Sequence, residues 1–368
     1  MLLFFINIIW LTELREILPE SLNGPFKYAC TAIILLAIGS VIRFHKSKLI
    51  GTLSLVFFFI IILLNLYHLS FNLSIFSILM FPFLLILFYK NTKVTFNINY
   101  LFIVFNIIIA IYAIPTYLKI ISGSHITLNP NELSSVSFAI TSFVIMYSEI
   151  YKNENNKIIY FNILLTLLIS YFMDARAIFI SVFFLIMILF SKNFKFLKSF
   201  IVYFLATITF LVPLVILIFV DELKILHESI LILNGAAADV IEADLDRYEM
   251  FELVKNILDQ DFLGKGIGNT EFYSVINISG LHSGSLDLLY WGGYILFFVF
   301  MLSFIFIILY TYNKYKTFIT SSILIYWLLL INYYEGLLFG NMGLTVFYIY
   351  FLMANFNGEK NEFSQSKS

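Results

Sequence analysis

The sequence predicts an all-α, polytopic integral membrane protein with about twelve transmembrane helices and one large outer loop that contains a short amphipathic helix. Composition is the first observation, because 61% of the 368 residues are hydrophobic, 19% are aromatic and only 12% are charged. The second is a series of apolar runs, each near the length that crosses a bilayer. The third is one long polar passage late in the chain, which stands out against this background.

The apolar runs define the predicted helices, since most are close to the ~20 residues that a membrane span needs. They lie at 2–12, 26–43, 49–68, 72–89, 97–118, 133–150, 157–173, 177–191, 197–220, 285–311, 317–333 and 341–354. The run 2–12 lacks a basic leader and a small-residue cleavage site, so we interpret it as a retained first helix. The single cysteine, Cys30, excludes an intrachain disulfide and a thiolate metal site.

Basic residues in the short connections predict the orientation, because cytoplasmic loops are enriched in Lys and Arg. With both termini inside, 14 of the 22 basic residues face the cytoplasm and 19 of the 23 acidic residues face outward. The inner basic residues are Arg43, Lys46, Lys48, Lys90, Lys93, Lys152, Lys157, Lys192, Lys195, Lys198, Lys314, Lys316, Lys360 and Lys367. The predicted organisation is helices 1–9 in 1–220, an outer loop in 221–284, helices 10–12 in 285–354 and a cytoplasmic tail in 355–368.

The outer loop cannot be a span, because it carries acidic residues every few positions and each would cost several kcal/mol in a bilayer core. Within it, Asp246 begins a capping-box pattern with Glu249, which predicts a short amphipathic helix. At about 100° per residue, Arg247 falls in the same apolar stripe as Phe251. Its guanidinium must therefore reach water or meet an anion, and both alternatives remain open.

A glycine-rich turn at 263–268 follows this helix. Its backbone amides, together with Lys265, Gly266 and Gly268, are able to approach a phosphate closely, although the turn also fits a mobile link to the next element. It is not a dinucleotide fingerprint, because no strand precedes it. His282 comes just before the next apolar run, so we expect it at the mouth of a membrane helix.

The remaining polar candidates are few. Arg176 interrupts the apolar stretch 157–191 on the outer side, where it marks either a helix-pair turn with a snorkelling side chain or part of a site. His68 and His125 have no partner at ligand spacing. Asp244 and Asp246 form an acidic pair that is able to hold a divalent cation, but helix capping accounts for Asp246 and the sequence places no further ligand.

Taken together, these residues resemble the O-antigen polymerase (Wzy-type) and O-antigen ligase family of polysaccharide assembly. The family pattern has an Arg that begins a mid-chain helix, then a late outer-loop passage with Arg, a glycine-rich turn, His and Gly. The matching passages here are Asp174-Ala-Arg176-Ala, Arg247-Tyr-Glu-Met-Phe251, Phe262-Leu-Gly-Lys-Gly-Ile-Gly268, His282-Ser283 and Gly292-Gly-Tyr294. Ser283 departs from the Asn that often follows the His, and Asp174-Ala replaces a more common Thr-x-Ser.

The resemblance implies a glycosyltransferase whose donor is an oligosaccharide linked to undecaprenyl diphosphate on the periplasmic face. Such a donor needs no nucleotide, metal or other cofactor. Arg176 and Arg247 are then expected to bind the diphosphate, and His282 to accept the acceptor hydroxyl proton or to hold the diphosphate. Tyr248, Lys265, Gly266 and Gly268 are the expected substrate-contacting residues.

We therefore expect an O-antigen or capsule polymerase in the bacterial inner membrane, multi-pass, with both termini in the cytoplasm. Its expected partners are the lipid-linked oligosaccharide, the lipid bilayer and a chain-length regulator protein, with no nucleic acid. One alternative is the ligase that transfers the glycan to lipid A-core. Another is a flippase or transporter without chemistry, against which stands the lack of visible internal repeats.

Overall fold

This computed structural model describes residues 42–44, 48–68, 88–90, 103, 106–107, 110, 130–151, 156–173, 175–233, 238–267, 269, 283–316 and 318–333. Nine α-helices are bounded within them: α1 Lys48–His68, α2 Pro130–Tyr151, α3 Asn156–Phe172, α4 Arg176–Ser191, α5 Lys195–Ile218, α6 Val220–Leu233, α7 Ala238–Gln260, α8 Gly284–Tyr315 and α9 Phe318–Tyr333. The described residues also include two strands, β1 Ile42–Phe44 and β2 Phe88–Lys90. This part of the chain is helical, as predicted, apart from that short strand pair.

Seven helices coincide with predicted apolar runs. The helices α1 to α5, α8 and α9 match their runs with end differences of at most four residues, the largest being run end 311 against Tyr315. The 97–118 run is represented by Ile103, Asn106, Ile107 and Ala110, all of which have helical conformation. The runs 2–12 and 341–354 lie outside the described residues.

The strand pair corrects two predicted helix ends. Residues 42–43 and 88–89, taken as the ends of two apolar runs, belong instead to an antiparallel ladder in which Arg43 lies opposite Tyr89. Both segments carry a basic residue, Arg43 or Lys90, and the orientation prediction puts both on the same side of the membrane. Pairing satisfies backbone groups that a helix end leaves without partners.

The outer loop also differs from its prediction, because it holds two helices and not one short helix. The first is α6, which follows α5 after the single residue Phe219. The second, α7, begins at Ala238, so Asp246 lies inside the helix and does not cap it. No Gly or Pro lies between Ala238 and Asp246, so nothing in this segment prevents the helix from starting before the capping-box pattern.

Helix α9 lies at the centre of the packing, because α2, α4, α5 and α8 all contact it. Its side chains Ile323, Leu324, Trp327 and Leu328 are buried. Tyr326 stacks on Phe184 of α4, with ring centroids 4.2 Å apart, and its hydroxyl donates to Ser181 Oγ at 2.9 Å. The centre thus combines aromatic stacking with satisfied polar groups.

One end of the helix bundle is defined by contacts near the lysine-rich connections. The Glu149 carboxylate, near the end of α2, accepts hydrogen bonds from the Ile319 and Thr320 amides and from Thr320 Oγ1, at 3.2, 2.6 and 2.6 Å. It therefore satisfies the open amides at the start of α9. Ser199 and Tyr312 hydroxyls lie 2.9 Å apart, which joins the start of α5 to the end of α8.

The opposite end carries the loop helices. The end of α1 lies there, because His68 Nε2 is 3.3 Å from the Leu263 carbonyl oxygen in the turn after α7. Three further helix ends lie here: the starts of α4 and α8 and the end of α5. Short turns join α3, α4 and α5, so these three helices alternate in direction, and α8 runs antiparallel to α5. We call it the loop end, and the other the lysine end.

A polar cluster is fully buried between α2, α3 and the helical residue Asn106. Thr166 Oγ1 lies 2.9 Å from Ser137 Oγ and 2.7 Å from Thr141 Oγ1. The Asn106 amide donates to Asn162 Oδ1 and accepts from Ser137 Oγ. All five side chains have zero exposure, so this is a satisfied network that links three segments.

Two described helices are long and apolar enough, by length and composition, to cross a membrane: Phe196–Ile218 in α5 and Gly284–Tyr310 in α8. The best 18-residue stretch of α5 is only 33% buried inside the protein, against 61% for α8. Core helices of soluble proteins are mostly buried, so the exposure of α5 separates it from that class.

Candidate functional site

The glycine-rich turn after α7 docks on a kink in α8. Regular helix geometry is interrupted at Gly292 and Gly293, which leaves carbonyl groups of the preceding turn open. The Lys265 amide donates to the Tyr290 carbonyl at 2.7 Å, and the Gly266 amide to the Trp291 carbonyl at 3.0 Å. In return, the Tyr294 amide donates to the Phe262 carbonyl at 3.2 Å.

Only glycine fits where the two segments meet. Gly264 and Gly293 have φ values of +77° and +58°, which disfavour any residue with a Cβ. A Cβ on Gly264 would lie 2.4 Å from the Tyr290 carbonyl oxygen, and one on Gly293 would lie 1.8 Å from the Phe262 carbonyl oxygen. Close backbone approach is therefore what these glycines provide in the structure.

This docking bears on the two interpretations of the turn. Residues 262–266 are packed against α8, so this part of the turn has a defined position on that helix. The Lys265 and Gly266 amides are engaged by α8, so an anion at this turn would meet the exposed Lys265 side chain and not those two amides. Gly268 lies outside the described residues.

Helix α7 buries the apolar stripe that the sequence predicts. Phe251, Val254 and Leu258 are buried, whereas Glu249 and Asn256 are exposed. Helix α7 contacts α5 and α8, and it also contacts α6. Arg247 lies on this helix, but its side chain is not among the described ones.

Three ion pairs, made by two lysines, join α6 to α7. Lys224 Nζ lies 3.2 Å from Glu252 Oε1 and 3.7 Å from Glu249 Oε1, and Lys255 Nζ lies 3.0 Å from Asp221 Oδ2. Partial desolvation lowers the pKa of Lys224, but the hydrogen bond and charge of Glu252, with Glu249, outweigh it and raise the pKa above its ordinary value. Lys224 therefore remains charged throughout the neutral range.

Tyr248 occupies the cleft between α6 and α7, next to Arg247 in sequence. It is half-buried, and its ring meets the His227 ring edge-on at a centroid distance of 5.6 Å. Burial raises the pKa of the Tyr248 phenol, so the hydroxyl stays neutral and able to donate near pH 7. His227 Nδ1 is enclosed without a hydrogen-bond partner. The sequence offered no signal for His227, because its partner lies on another helix.

Arg176 is the first residue of α4, at the loop end. It is exposed, and it follows the buried Ala175, whose amide donates to the Ser170 carbonyl at 2.9 Å. Arg176 thus stands where the α3–α4 turn reaches the surface, as predicted from the sequence. Asp174, before it, lies outside the described residues.

The predicted catalytic residues are only partly described. Among the described helices, α4 packs against α2, α3 and α9, whereas α7 packs against α5, α6 and α8. Arg176 and the backbone of Arg247 therefore belong to different packing groups at the same end of the bundle. His282 lies outside the described residues, but Ser283 after it caps α8, its Oγ accepting from the Leu286 amide at 3.4 Å.

Two further residues at the turn escaped prediction. His68 reaches the Leu263 carbonyl, and because that oxygen only accepts, Nε2 must carry the hydrogen in this contact. Asn269 donates to the Lys265 carbonyl at 3.3 Å and accepts from the Tyr290 hydroxyl at 3.4 Å. Both partners are distant in sequence or belong to the backbone, so residue patterns alone do not reveal them.

Within the described residues, no group of three or more His, Cys, Asp or Glu side chains is arranged to hold a metal ion. The side chains of Asp244 and Asp246 are not among those described. Comparison of the chain with protein-family models, with curated proteins and with solved structures gives no match. The likeness to O-antigen polymerases and ligases therefore rests on the short motifs quoted above.

Proposed function

We propose that this chain is a multi-pass inner-membrane polysaccharide polymerase. It would transfer a growing O-antigen or capsule glycan from undecaprenyl diphosphate to the sugar of the next lipid-linked repeat unit, on the periplasmic face. The observation that carries this proposal is that Arg176, the helix that bears Arg247 and the start of α8 that His282 precedes all lie at the loop end of the bundle.

The membrane location is supported by the exposed surface of the helices. Large apolar side chains project outward from α1, α3, α4 and α5, among them Leu63, Tyr171, Met187 and Phe196. Soluble monomers rarely expose contiguous apolar surface on this scale. Helices also satisfy their backbone groups internally, which a hydrocarbon environment requires.

The orientation is supported by the unequal charge of the two ends. The lysine end carries Lys157, Lys192 and Lys198, while the loop end carries the acidic residues of α6 and α7. Because basic residues are retained in the cytoplasm, the loop end faces the periplasm in this proposal. A donor that is already on the periplasmic side is consistent with a working surface there.

The chemistry assigned to this end matches its residue types. Breaking the anomeric C–O bond releases a diphosphate with developing negative charge, which guanidinium groups bind in a planar, bidentate manner. Arg176 and Arg247 have that role in this proposal. His282 accepts the proton of the attacking hydroxyl, for which an imidazole pKa near 6.5 is suited. Tyr248, with its neutral hydroxyl, and the Lys265 side chain are available to bind sugar or phosphate.

The docked turn supports the proposal in a further way. It fixes the end of α7 against α8, so the helix bearing Arg247 and the helix that follows His282 keep a constant relation. Groups that act together in a transfer reaction must be held in productive geometry, and a loose link between them would not do this.

The test replaces each proposed catalytic residue and measures glycan ladders in cells, with membrane abundance measured alongside. Arg176→Lys and Arg247→Lys should each lose most polymer although they keep the charge, because a point charge does not reproduce the fork. His282→Ala should lose about 10²–10⁴ in rate. Lys157→Ala, an exposed cation at the lysine end, is the control and should leave the ladder unchanged.

Each outcome of this test decides something. A normal ladder from an Arg→Ala or His→Ala variant removes that residue from the site. Normal ladders from all of them leave a lipid-linked glycan flippase or transporter as the better account. Loss of transfer to lipid A-core with lipid-linked polymer still made would instead indicate the ligase, the alternative within the class.

A further inference from the structure

Helix α6 turns an apolar face away from the rest of the protein. From the second turn onward, five large apolar side chains are exposed: Ile225, Leu226, Ile230, Ile232 and Leu233. Leu226 is 57% exposed and Leu233 is 85% exposed, and a cluster of exposed apolar side chains, unlike single ones, marks a contact surface. Such a face requires a partner that is not part of the described chain.

The opposite side of α6 is fully engaged. Val220 is buried, and Lys224 and Asp221 pair with side chains of α7, so the helix cannot roll to hide its apolar face. Glu222 points in the outward direction but lies in the first turn, where the helix dipole favours an acidic side chain. The outward face is therefore acidic at its start and apolar afterwards.

An exposed apolar surface also covers the end of α5. Phe219, with φ −107° and ψ 28°, separates the two helices: its amide donates to the Val215 carbonyl at 3.0 Å, and the Leu223 amide donates to the Phe219 carbonyl at 2.9 Å. Val215, Ile218 and Phe219 are all exposed just before α6 begins. The exposed apolar surfaces of α5 and α6 thus lie on either side of the exposed acidic residues Asp221 and Glu222.

We propose that α6 is an interfacial helix whose outward face lies in the boundary between headgroups and acyl chains of the periplasmic leaflet. Lipid is the occupant that this neighbourhood favours, since exposed apolar side chains also cover α5 up to the junction. With 24 residues and a rise of about 1.5 Å each, α5 is about 36 Å long, enough to cross the ~30 Å hydrocarbon core by itself. Helix α6 therefore begins at the interface, where an amphipathic helix is stable.

One consequence concerns the proposed site. Because ion pairs fix α7 to α6, an interfacial α6 holds α7 beside the headgroups, at the level of a lipid-linked diphosphate. The inference rests on the membrane location given under Proposed function, but it does not require the transfer chemistry.

The experiment places spin labels on the full-length protein, purified and reconstituted in vesicles of phosphatidylethanolamine and phosphatidylglycerol. Cys30→Ser provides the background, and Leu226→Cys and Leu233→Cys report the outward face of α6. Asn256→Cys, exposed on α7, is the aqueous control, and Leu211→Cys, exposed on α5, is the membrane control. Collision with oxygen, which partitions into lipid, is compared with collision with a water-soluble nickel complex.

The inference expects the α6 labels to favour oxygen, at a depth of about 5–10 Å below the headgroups, while the label at 256 favours nickel. Nickel access at both α6 positions overturns the inference and shows a water-exposed helix. Immobile labels that meet neither reagent also overturn it, and indicate contact with a protein. If the label at 211 favours oxygen while the α6 labels do not, only this inference fails. Nickel access at 211 refutes the membrane location itself.

Discussion

Replacement of Gly293 by alanine should undock the glycine-rich turn from α8. The φ of +58° and ψ of −157° at this residue are tolerated almost only by glycine, and the strain costs about 1–3 kcal/mol with a Cβ present. The new Cβ would lie 1.8 Å from the Phe262 carbonyl oxygen, far inside van der Waals contact. The turn must therefore move away, and α8 itself is able to remain folded.

The free-energy cost of this substitution includes the hydrogen bonds that are lost when the turn moves away from α8. Three backbone hydrogen bonds join the turn to α8, at 2.7, 3.0 and 3.2 Å. Each contributes about 0.5–1.5 kcal/mol net. Together with the strain, the substitution should cost the docked arrangement about 2.5–7.5 kcal/mol. At about 1.4 kcal/mol per tenfold change, that is a shift on the order of 100-fold or more in the docking equilibrium.

Hydrogen exchange of the Lys265, Gly266 and Tyr294 amides measures this directly, because local opening sets their exchange rates. In Gly293→Ala these amides should exchange faster by a factor on the order of 100 or more, while amides in the centre of α9 keep their protection. Lys265→Ala is the matched control, since it removes an exposed side chain and keeps the docking amide.

A second substitution tests whether the effect belongs to one contact. Gly264→Ala places its Cβ 2.4 Å from the Tyr290 carbonyl oxygen and should open the same interface. The double variant should then be clearly less destabilised than the two single effects added together, because a turn that is already undocked cannot be undocked again. Unchanged exchange of the three amides in Gly293→Ala would refute this account of the turn.

Three further predictions concern topology, packing and metal dependence. Asn256→Cys on α7 should label with an impermeant maleimide in cells whose outer membrane is permeabilised, whereas Asn193→Cys, in the α4–α5 turn, should label only once the inner membrane is broken; the reverse pattern would invert the proposed orientation. Glu149→Ala should lower the free energy of unfolding of the purified protein by about 2 kcal/mol or more. Glu149→Gln should lower it by less, because one acceptor oxygen remains. Equal stability of all three forms would show that the cap at Thr320 is dispensable. Polymerisation by purified protein should survive EDTA, and activity lost on chelation and restored by Mg²⁺ or Mn²⁺ would assign a catalytic cation to the site.

Long apolar runs fix helices well in this chain, and α5 shows why. Its 24 residues are almost all apolar after the two lysines in the first turn, so neither register nor partner choice is needed to predict that a helix forms there. The amphipathic stripe on α7 was predictable for a related reason, because Phe251, Val254 and Leu258 recur at helical spacing and are all buried. Period and hydrophobicity are local properties, and the sequence displays them directly.

What was missed depends on partners that are distant along the chain. The start of α7 was predicted at Asp246 because a capping pattern is conspicuous, although the segment from Ala238 contains no helix breaker and is already helical. Helix α6 was overlooked because only Val220 among its residues is buried, so it carries no core stripe to detect. Glu149 was counted as an inner charge, and its role at the start of α9 emerges only when helices 170 residues apart meet.

The same limit applies to the candidate site. The glycine-rich turn and the Gly292–Gly293 pair were separate short patterns in the sequence, whereas in three dimensions they form one joint. Arg176 was predicted at a surface turn, and it begins α4 there.

If the chain is the multi-pass membrane protein proposed above, the buried network around Asn162 has a consequence for its biogenesis. Asn162 and Thr166 lie in the middle of α3, and their side chains would face hydrocarbon if that helix left the translocation channel alone. Their partners Ser137 and Thr141 are on α2, the helix made immediately before, but Asn106 is made earlier still. The segment around Asn106 and α2 should therefore be retained beside the channel until α3 emerges, so that the three enter the lipid as one unit.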